Sequence, residues 1–268
     1  MKKLILALML FAGYTSEAQQ NVGVIYDENV QKRNVAAFTA IKVSNAIDLY
    51  ITQSGNNEVA VSANSAEIRN QIITEVVGGT LIIRMGENDS WYNWKKWRDY
   101  KAKAYVSVKE LNALTASGAC NIRLVDKVET PKMKIKLSGA SDFKGDFEVG
   151  NLSLTISGAS EYKGNLKASN LIMDISGASD VELNGTTDDL VLEASGASEA
   201  KLYNLVTKGA KADVSGASSA NLNVTQLLKA QASGASSINY KGTAIAKEIS
   251  STGASSVKYR NYAGARAF

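Results

Sequence analysis

Apolar and polar residues alternate in short runs along most of the chain. Met133, Ile135 and Leu137 are separated by Lys134 and Lys136, and the same alternation returns in the following repeats. An alternation with a period of two is typical of a β-strand that buries one face. The pattern therefore predicts many short strands, each with an apolar inner face and a polar outer face.

A Ser-Gly-Ala tripeptide follows these strands at nearly constant intervals. Its copies begin at Ser117, Ser138, Ser157, Ser176, Ser195, Ser215 and Ser233, and Thr252 begins a Thr-Gly-Ala variant. Successive copies are separated by 21, 19, 19, 19, 20, 18 and 19 residues. Because a second alternating strand follows each tripeptide, one repeat holds two strands joined by a bend.

A repeat of this length and content predicts an all-β fold in which each repeat forms one coil. The leucine and asparagine spacing of a leucine-rich repeat is absent, a propeller blade needs about twice this length, and the chain has no six-residue sub-period. The best fit is a right-handed, single-stranded parallel β-helix, a β-solenoid with coils of about 19 residues.

The tripeptide has the composition of a tight corner. Glycine adopts backbone conformations that other residues avoid, and serine hydroxyls bond to backbone groups left free at a bend. We expect the serines and glycines of successive coils to stack in a structural corner ladder, and the alanine to point into the core. The ladder residues are Ser138, Gly139, Ser157, Gly158, Ser176, Gly177, Ser195, Gly196, Ser215, Gly216, Ser233 and Gly234. Cys120 takes the place of a serine that follows the tripeptide in the other copies, which predicts a structural role for its thiol.

The N-terminus has the features of a secretory signal peptide. Two lysines precede an apolar run at residues 4–12, and a small-x-small cleavage site ends at Ala18. This run is too short to cross a bilayer as a helix, and no later run is long enough, so we expect no transmembrane segment. We expect residues 1–18 to be removed and the protein to reach the periplasm, the outer-membrane surface or the medium.

The rest of the chain is predicted to form a single β-helix domain, residues 34–268, after a flexible N-terminal segment, residues 19–33. Residues 111–262 hold the regular repeats. Residues 34–110 have less regular strands, and we expect them to form the first coils and a cap, since the ends of a solenoid need a cover.

Residues 86–101 interrupt the strand pattern with a cluster of aromatic side chains. The cluster comprises Trp91, Tyr92, Trp94, Trp97 and Tyr100. Flat aromatic rings stack on sugars and anchor protein interfaces, which makes these residues the candidate ligand-binding site. Large aromatics are also commonly buried, so the same segment could instead fold back and cap the solenoid.

Composition and charge exclude several classes of function. The chain has no histidine, which excludes Ser-His-Asp and Cys-His catalysis and most zinc sites, and its one cysteine allows no internal disulfide. Without residues 1–18 the net charge is +3, from 28 basic and 25 acidic residues, so we expect no nucleic-acid partner. We also expect no cofactor and no bound metal.

One outward column of carboxylates is the basis of an enzymatic alternative. Asp142, Glu161, Asp180 and Glu199 take the same position in four consecutive repeats. Carbohydrate lyases and hydrolases with this fold use clustered carboxylates, and adjacent coils would place these about 5 Å apart. Lysines that follow two residues later in three of the repeats would neutralise the column as surface ion pairs. We therefore predict that the protein is not an enzyme.

Together with the Ser-Gly-Ala turns, three further segments make the chain resemble the GIN-domain family, the heads of auto-transporter adhesins. They are the entry strand at Phe38–Ile51, the hairpin from Thr74 to Ile83, and the approach to the first turn from Tyr105 to Leu114. The resemblance covers roughly residues 34–262. It implies a right-handed β-helix and an exported, surface or periplasmic protein, and it supplies no catalytic residues.

These observations predict an exported, non-enzymatic, adhesin-like module. The sequence determines neither the ligand nor the oligomeric state, and a glycan and a cell-surface protein are both candidate partners. Two alternatives stay open: a polysaccharide-active β-helix enzyme that uses the carboxylate column, and a structural envelope protein that binds another protein.

Overall fold

The computed structural model describes residue 27, residues 29–86 and residues 100–260. In it, parallel strands stack into a β-solenoid of about eight turns that are roughly 19 residues apart. Strand register follows the repeat, so that Leu152 pairs with Leu171 and Leu171 with Leu190. The prediction of an all-β solenoid with coils of this length is confirmed.

The strands fall into an irregular N-terminal group and a regular group. The first group and the helix are β1 (Gln31–Arg33), β2 (Ala40–Val43), β3 (Ile47–Gln53), β4 (Glu58–Ala63), α1 (Ala66–Asn70), β5 (Ile72–Val77), β6 (Thr80–Met85) and β7 (Ala102–Val108). The regular group is β8 (Ala113–Ala116), β9 (Asn121–Leu124), β10 (Val128–Leu137), β11 (Asp142–Lys144), β12 (Phe147–Ile156), β13 (Glu161–Ile175), β14 (Asp180–Ala194), β15 (Glu199–Val214), β16 (Ser219–Ala232), β17 (Ser237–Lys241), β18 (Ile245–Ser251) and β19 (Ser256–Tyr259).

Each regular coil has three faces. In one coil, residues 132–137 before the tripeptide lie on the first face, residues 142–144 after it on the second, and residues 147–149 on the third. Each of these segments pairs in parallel with the equivalent segment of the next coil. Side chains alternate inward and outward along each face, as the burial of Met133, Ile135 and Leu137 shows. The three faces therefore enclose one continuous core.

The core is a stack of inward side chains that repeats from coil to coil. Tyr162, Phe143 and Phe147 are among its largest fully buried members. The ring centroid of Phe143 lies 4.7 Å from that of Tyr162 and 6.0 Å from that of Phe147. Aromatic rings at these separations add to the free energy gained by removing apolar surface from water.

The glycine of each turn meets two separate requirements. Gly139 and Gly158 both have a φ of +79°, in the left-handed region that side chains disfavour. In addition, a Cβ atom built on Gly158 would lie 2.3 Å from the carbonyl oxygen of Gly139 in the preceding coil. Both the backbone conformation and the close stacking of coils therefore require glycine.

The expectation that the alanine of each turn points into the core is wrong. Ala140 is exposed, whereas Ser141 directly after it is fully buried. Because the left-handed glycine bends the chain outward, the first side chain to return to the interior is the fourth residue of the turn. Cys120 and Ser160 are buried at the same position of their own turns.

The first coil in the sequence is not the outermost coil of the stack. Strand β2 pairs in parallel with β6 on one side and with β8 on the other. Strand β3 likewise pairs in parallel with β7 and β9. The coil formed by β2 and β3 thus lies between the first regular coil and a coil formed later in the chain by β6 and β7.

Strands of reversed direction cover the outer side of the β6–β7 coil. Strand β5 pairs with β6 in an antiparallel hairpin, and β4 pairs antiparallel with β7. Helix α1 joins β4 to β5, and the hydroxyl of Ser65 accepts a hydrogen bond from the Ile68 N–H at 3.2 Å as its N-terminal cap. Strand β1 pairs antiparallel with β4. Antiparallel pairing therefore closes this end of the parallel stack.

Candidate binding surfaces of the solenoid

The fourth residues of six successive turns, from Ser141 to Ser236, form a buried hydroxyl column. The Oγ atom of Ser160 accepts a hydrogen bond from the Ser141 N–H at 3.3 Å and donates one to the Gly139 carbonyl at 3.5 Å. Ser179 repeats both contacts with the coil before it. Each hydroxyl thus joins two coils, which ties it to the structure of the solenoid and leaves it inaccessible to a ligand.

The first serines of the turns are partly buried and bond to the preceding coil. Ser138 donates to the Ala116 carbonyl at 3.3 Å, Ser157 donates to the Leu137 carbonyl at 3.4 Å, and Ser215 donates to a carbonyl one coil earlier. The structure therefore places the residues of the predicted corner ladder in hydrogen bonds between coils. Sequence reasoning had not singled out the fourth residue as the buried member of the turn.

The thiol of Cys120 occupies the same buried column. Its Sγ atom donates to the Ser117 carbonyl at 3.3 Å, and the side chain is fully buried. Burial raises the pKa of the thiol, and backbone N–H groups of Ile47 and Ala46 only partly oppose this rise. A thiol without negative charge in an inaccessible position is a poor nucleophile.

We expect Cys120→Ser to change the free energy of unfolding by less than about 1 kcal/mol, because serine fills this position in the other turns. In the wild-type protein, the thiol should react with a disulfide reagent only as fast as the protein unfolds. Labelling with and without denaturant measures this difference. Rapid labelling of the folded protein would show that the thiol is accessible and would contradict a purely structural role.

The four carboxylates predicted to share a column do align on the second face. Asp142 pairs with Glu161, Glu161 with Asp180, and Asp180 with Glu199 in register. The ammonium group of Lys163 lies 2.7 Å from Glu161, and that of Lys201 lies 3.3 Å from Glu199. These hydrogen bonds raise the pKa of both lysines. Lysine charges thus offset half of the column. Of the three expected ion pairs, those of Lys163 and Lys201 are present, whereas Lys144 forms none with Asp142 among the described residues.

The described residues contain no cluster of side chains suited to bind a metal ion. Across residues 29–86 and 100–260, together with Asp27, no group of three or more histidine, cysteine, aspartate or glutamate side chains could hold a metal ion. Within the same ranges, no helix has the length and the apolar character that are needed to cross a membrane.

The aromatic segment is inserted at a corner of the β6–β7 coil. Ile83 of β6 pairs with Val43, and Ala102 of β7 pairs with Ile47. The connection between these positions takes residues 84–101 in the β6–β7 coil and only residues 44–46 in its neighbour. The segment is therefore an insertion of 15 residues at the corner where the regular coils have their Ser-Gly-Ala turn.

Both ends of this insertion are attached to the solenoid. The Gly86 N–H donates to the Gln71 carbonyl at 2.8 Å. Tyr100 is half-buried against the core, and its hydroxyl donates to the Asn45 carbonyl. Trp91, Tyr92, Trp94 and Trp97 lie outside the described residues. Of the five predicted site residues, the structure thus places only Tyr100, next to the corner.

A polar pocket lies beside the C-terminal end of the insertion. It has a volume of about 350 Å³ and is lined by Asp27, Asn29, Ser62, Ala63, Asn64, Lys101 and Lys103. Asp27 accepts hydrogen bonds from Lys103 at 3.0 Å and from Tyr105 at 2.8 Å. Burial alone would raise the pKa of Asp27, but these bonds and one from Ser62 outweigh it and lower the pKa.

No sequence signal pointed to this pocket. Asp27 belongs to the segment expected to be flexible, and its partners come from β4 and β7, which are distant in sequence. Only the antiparallel pairing of β4 with β7 brings them together. The pocket supplies hydroxyl, amide, carboxylate and ammonium groups within one cavity of the size of a small ligand.

Solved structures with a similar fold include three from Parabacteroides species. Putative adhesins from Parabacteroides merdae and Parabacteroides distasonis superpose with TM-scores of 0.80 and 0.79, at 20% and 23% identity; each match covers 87% of this chain and 96% of the other. A putative lipid binding protein from Parabacteroides distasonis matches with a TM-score of 0.75 and 21% identity, over 87% of this chain and 97% of that one. At these identities the likeness concerns the fold.

A search of curated proteins found no match to the chain. A family model does match, at residues 37–165 and 150–244, and its description is "Putative auto-transporter adhesin, head GIN domain". The two matches together span most of the chain and include the β2–β3 coil and most of the regular turns. The chain therefore belongs to the family of auto-transporter adhesin head GIN domains.

Proposed function

We propose that the protein is an exported, non-enzymatic adhesin module that binds glycan through its aromatic insertion. The observation that carries this proposal is the position of the insertion. Thirteen undescribed residues, with all three tryptophans of the chain, connect two anchored ends at a corner of the β6–β7 coil. Aromatic side chains are suited to stack on sugar rings, and the hydrogen bonds of Gly86 and Tyr100 fix the place on the solenoid from which this segment extends.

The polar pocket supports the same proposal. Lys101 lines the pocket and follows Tyr100, so the pocket adjoins the end of the aromatic segment. Sugar recognition combines an aromatic surface for the ring with polar groups for its hydroxyls. Asn29, Ser62 and Asn64 provide such polar groups in the pocket.

The carboxylate column favours binding over catalysis. Retaining and inverting glycosidases need two carboxyl groups that differ in protonation, which usually means that one is buried. Glu161 and Glu199 instead lie at the surface in ion pairs with lysines. This arrangement is that of a solvated surface and supports a protein that retains its ligand without cleaving it.

The test is binding of residues 19–268 to a broad glycan array, beside the variant Trp91→Ala/Trp94→Ala/Trp97→Ala. We expect selective binding by the parent and at least about a tenfold loss in the variant, because stacked aromatics commonly dominate binding energy. Tyr259→Ala removes an exposed aromatic of the opposite end and should bind as the parent does. Thermal unfolding of each protein checks that it is folded.

Other outcomes are equally informative. A parent that binds no glycan would refute the glycan proposal and direct attention to protein partners. Undiminished binding by the tryptophan variant would place the site elsewhere on the solenoid. A variant that unfolds at a clearly lower temperature would indicate that the tryptophans serve as a cap. Release of sugar fragments by the parent would favour the enzymatic alternative.

A further inference from the structure

The first face of the solenoid has a charge pattern that changes along the rod. In β10, three exposed lysines point outward: Lys132, Lys134 and Lys136. Two and three coils further on, in β13 and β14, the outward positions carry Asp174, Asp189 and Glu193, which are also exposed. This part of the first face therefore has a basic side and an acidic side.

These side chains are arranged in straight rows because the strands are in register. One row runs from Lys136 through Thr155 and Asp174 to Glu193, and a second runs from Lys132 through Asn151 and Asn170 to Asp189. The row between them runs from Lys134 through Ser153 and Ile172 to Val191. We call these twelve residues the polarised patch.

The middle row ends in two exposed aliphatic side chains. Ile172 is 54% exposed and Val191 is 37% exposed, and the two are directly paired on neighbouring strands. An aliphatic pair flanked by charged rows is typical of the centre of an interaction surface. Within the described parts of the chain, none of the six charged residues in the patch takes part in an ion pair.

We propose that the polarised patch binds the same patch of a second copy of this chain, with the two rods antiparallel. A two-fold axis parallel to the strands, between β12 and β13, would place β10 of one copy over β14 of the other. Such an axis keeps each row opposite itself and reverses its order. Lys136 then faces Glu193, Lys132 faces Asp189, and the aliphatic stem of Lys134 lies over Val191.

The dimensions of two packed sheets suit these contacts. Sheets packed face to face are about 10 Å apart, a distance that an extended lysine and a glutamate can bridge together. The opposite arrangement, with parallel rods, would place lysines against lysines and acids against acids. Charge complementarity therefore selects the antiparallel pair of rods.

The size of the patch predicts a weak dimer. Six residues along each strand and four strands give a surface of about 20 Å by 20 Å, and a dimer that buries on the order of 800 Å² in total. This area is below that of stable complexes, so we expect association only at high local concentration and low salt. A display of many copies on a surface would multiply such weak contacts.

Sedimentation velocity of the full mature chain, from about 10 µM to about 1 mM, tests the proposal directly. Two double variants each reverse one charged set: Lys132→Glu/Lys136→Glu reverses the basic set, and Asp189→Lys/Glu193→Lys reverses the acidic set. Each variant alone should self-associate at least about tenfold more weakly than the parent and stay essentially monomeric. A 1:1 mixture of the two should form a heterodimer, because the reversed set of one copy then faces the reversed set of the other, and the two unreversed sets face each other, with opposite charges in both contacts. Lys144→Glu/Lys258→Glu changes the charge of the second face equally and should associate like the parent.

A parent that stays monomeric at every concentration and salt level would overturn the proposal. The proposal would also be overturned if the mixture of the two variants failed to associate, or if either variant alone associated as well as the parent. This proposal goes beyond glycan binding and does not depend on it. The tryptophan variant should therefore self-associate normally, so that failure of one proposal leaves the other untouched.

Discussion

Gly158→Ala is expected to destabilise the protein by more than about 3 kcal/mol or to prevent folding. The added Cβ would lie 2.3 Å from the Gly139 oxygen and 2.9 Å from the Gly139 nitrogen. That oxygen cannot move away easily, since it already accepts a hydrogen bond from the Ala159 N–H at 2.7 Å. The left-handed φ adds a further penalty of about 1–2 kcal/mol. Chemical denaturation followed by circular dichroism measures the loss.

Substitutions at two other glycines distinguish the cost of the left-handed φ from the cost of the close contact between coils. Gly78 has a φ of +56° but no atom within 4 Å of a Cβ, so Gly78→Ala should cost only the conformational penalty. Gly55 has neither a left-handed φ nor a close neighbour, and Gly55→Ala should leave stability nearly unchanged. If Gly158→Ala costs no more than Gly78→Ala, the coils do not approach as closely at the turn as the structure indicates.

Tyr162→Ala should destabilise the protein by about 3–5 kcal/mol, as expected for truncation of a large core aromatic. Tyr162 is fully buried, and its ring contacts Phe143 of the neighbouring coil. Its hydroxyl donates to the Gly145 carbonyl at 3.2 Å, and burial raises its pKa. Because the ring packs on the preceding coil and its strand pairs with that of Val181 in the next one, a cavity here weakens the stacking of neighbouring turns. The denaturant midpoint should fall while the slope of the transition stays the same.

Tyr162→Phe provides the matched control. It keeps the ring and removes one hydrogen bond, so we expect a loss of about 1 kcal/mol. The neighbouring coil already has phenylalanine at this position, in Phe143. A loss from Tyr162→Phe as large as that from Tyr162→Ala would mean that the hydroxyl bond, and not the packing of the ring, stabilises this layer.

The regular part of the fold could be predicted from the sequence because each repeat constrains the next. Leu152, Leu171 and Leu190 recur at intervals that match the strand register, and the period alone predicts which residues share a row. The alignment of the carboxylates from Asp142 to Glu199 could be predicted from the same period, as could the ion pairs that Lys163 and Lys201 form with this column. Repetition thus converts a one-dimensional pattern into three-dimensional neighbours.

The path through each turn could not be predicted by alternation alone. Counting positions assigned the interior to Ala140, whereas the left-handed Gly139 shifts the count and buries Ser141. The φ angle of Gly139 determines which of the following side chains turns inward. The sequence does not specify that angle, because glycine can adopt several backbone conformations. The exposure of Ala140 and the burial of Ser141 are also opposite to the usual preference of apolar residues for the interior. Hydrogen bonds between coils compensate for the burial of the serine hydroxyl.

The order of the N-terminal coils was also beyond sequence reasoning. Strands β2, β6 and β8 have similar alternating patterns, so any two of them could be neighbours. Their stacking order depends on long connections and on the antiparallel strands β4 and β5, which follow no repeat. The polar pocket at Asp27 depends on the same pairing, and for this reason no local pattern indicated it.

The antiparallel closure at the β6–β7 coil gives the rod one fixed end and one extendable direction. Because the coils of β12, β13 and β14 pair with one another in the same register, a repeat there can be gained or lost without disturbing the corner that holds the aromatic insertion. Each such change would move the two ends of the rod apart or together by about 5 Å. Recombination between similar repeats could therefore change the length of the rod in single steps while the end with the aromatic insertion stays the same.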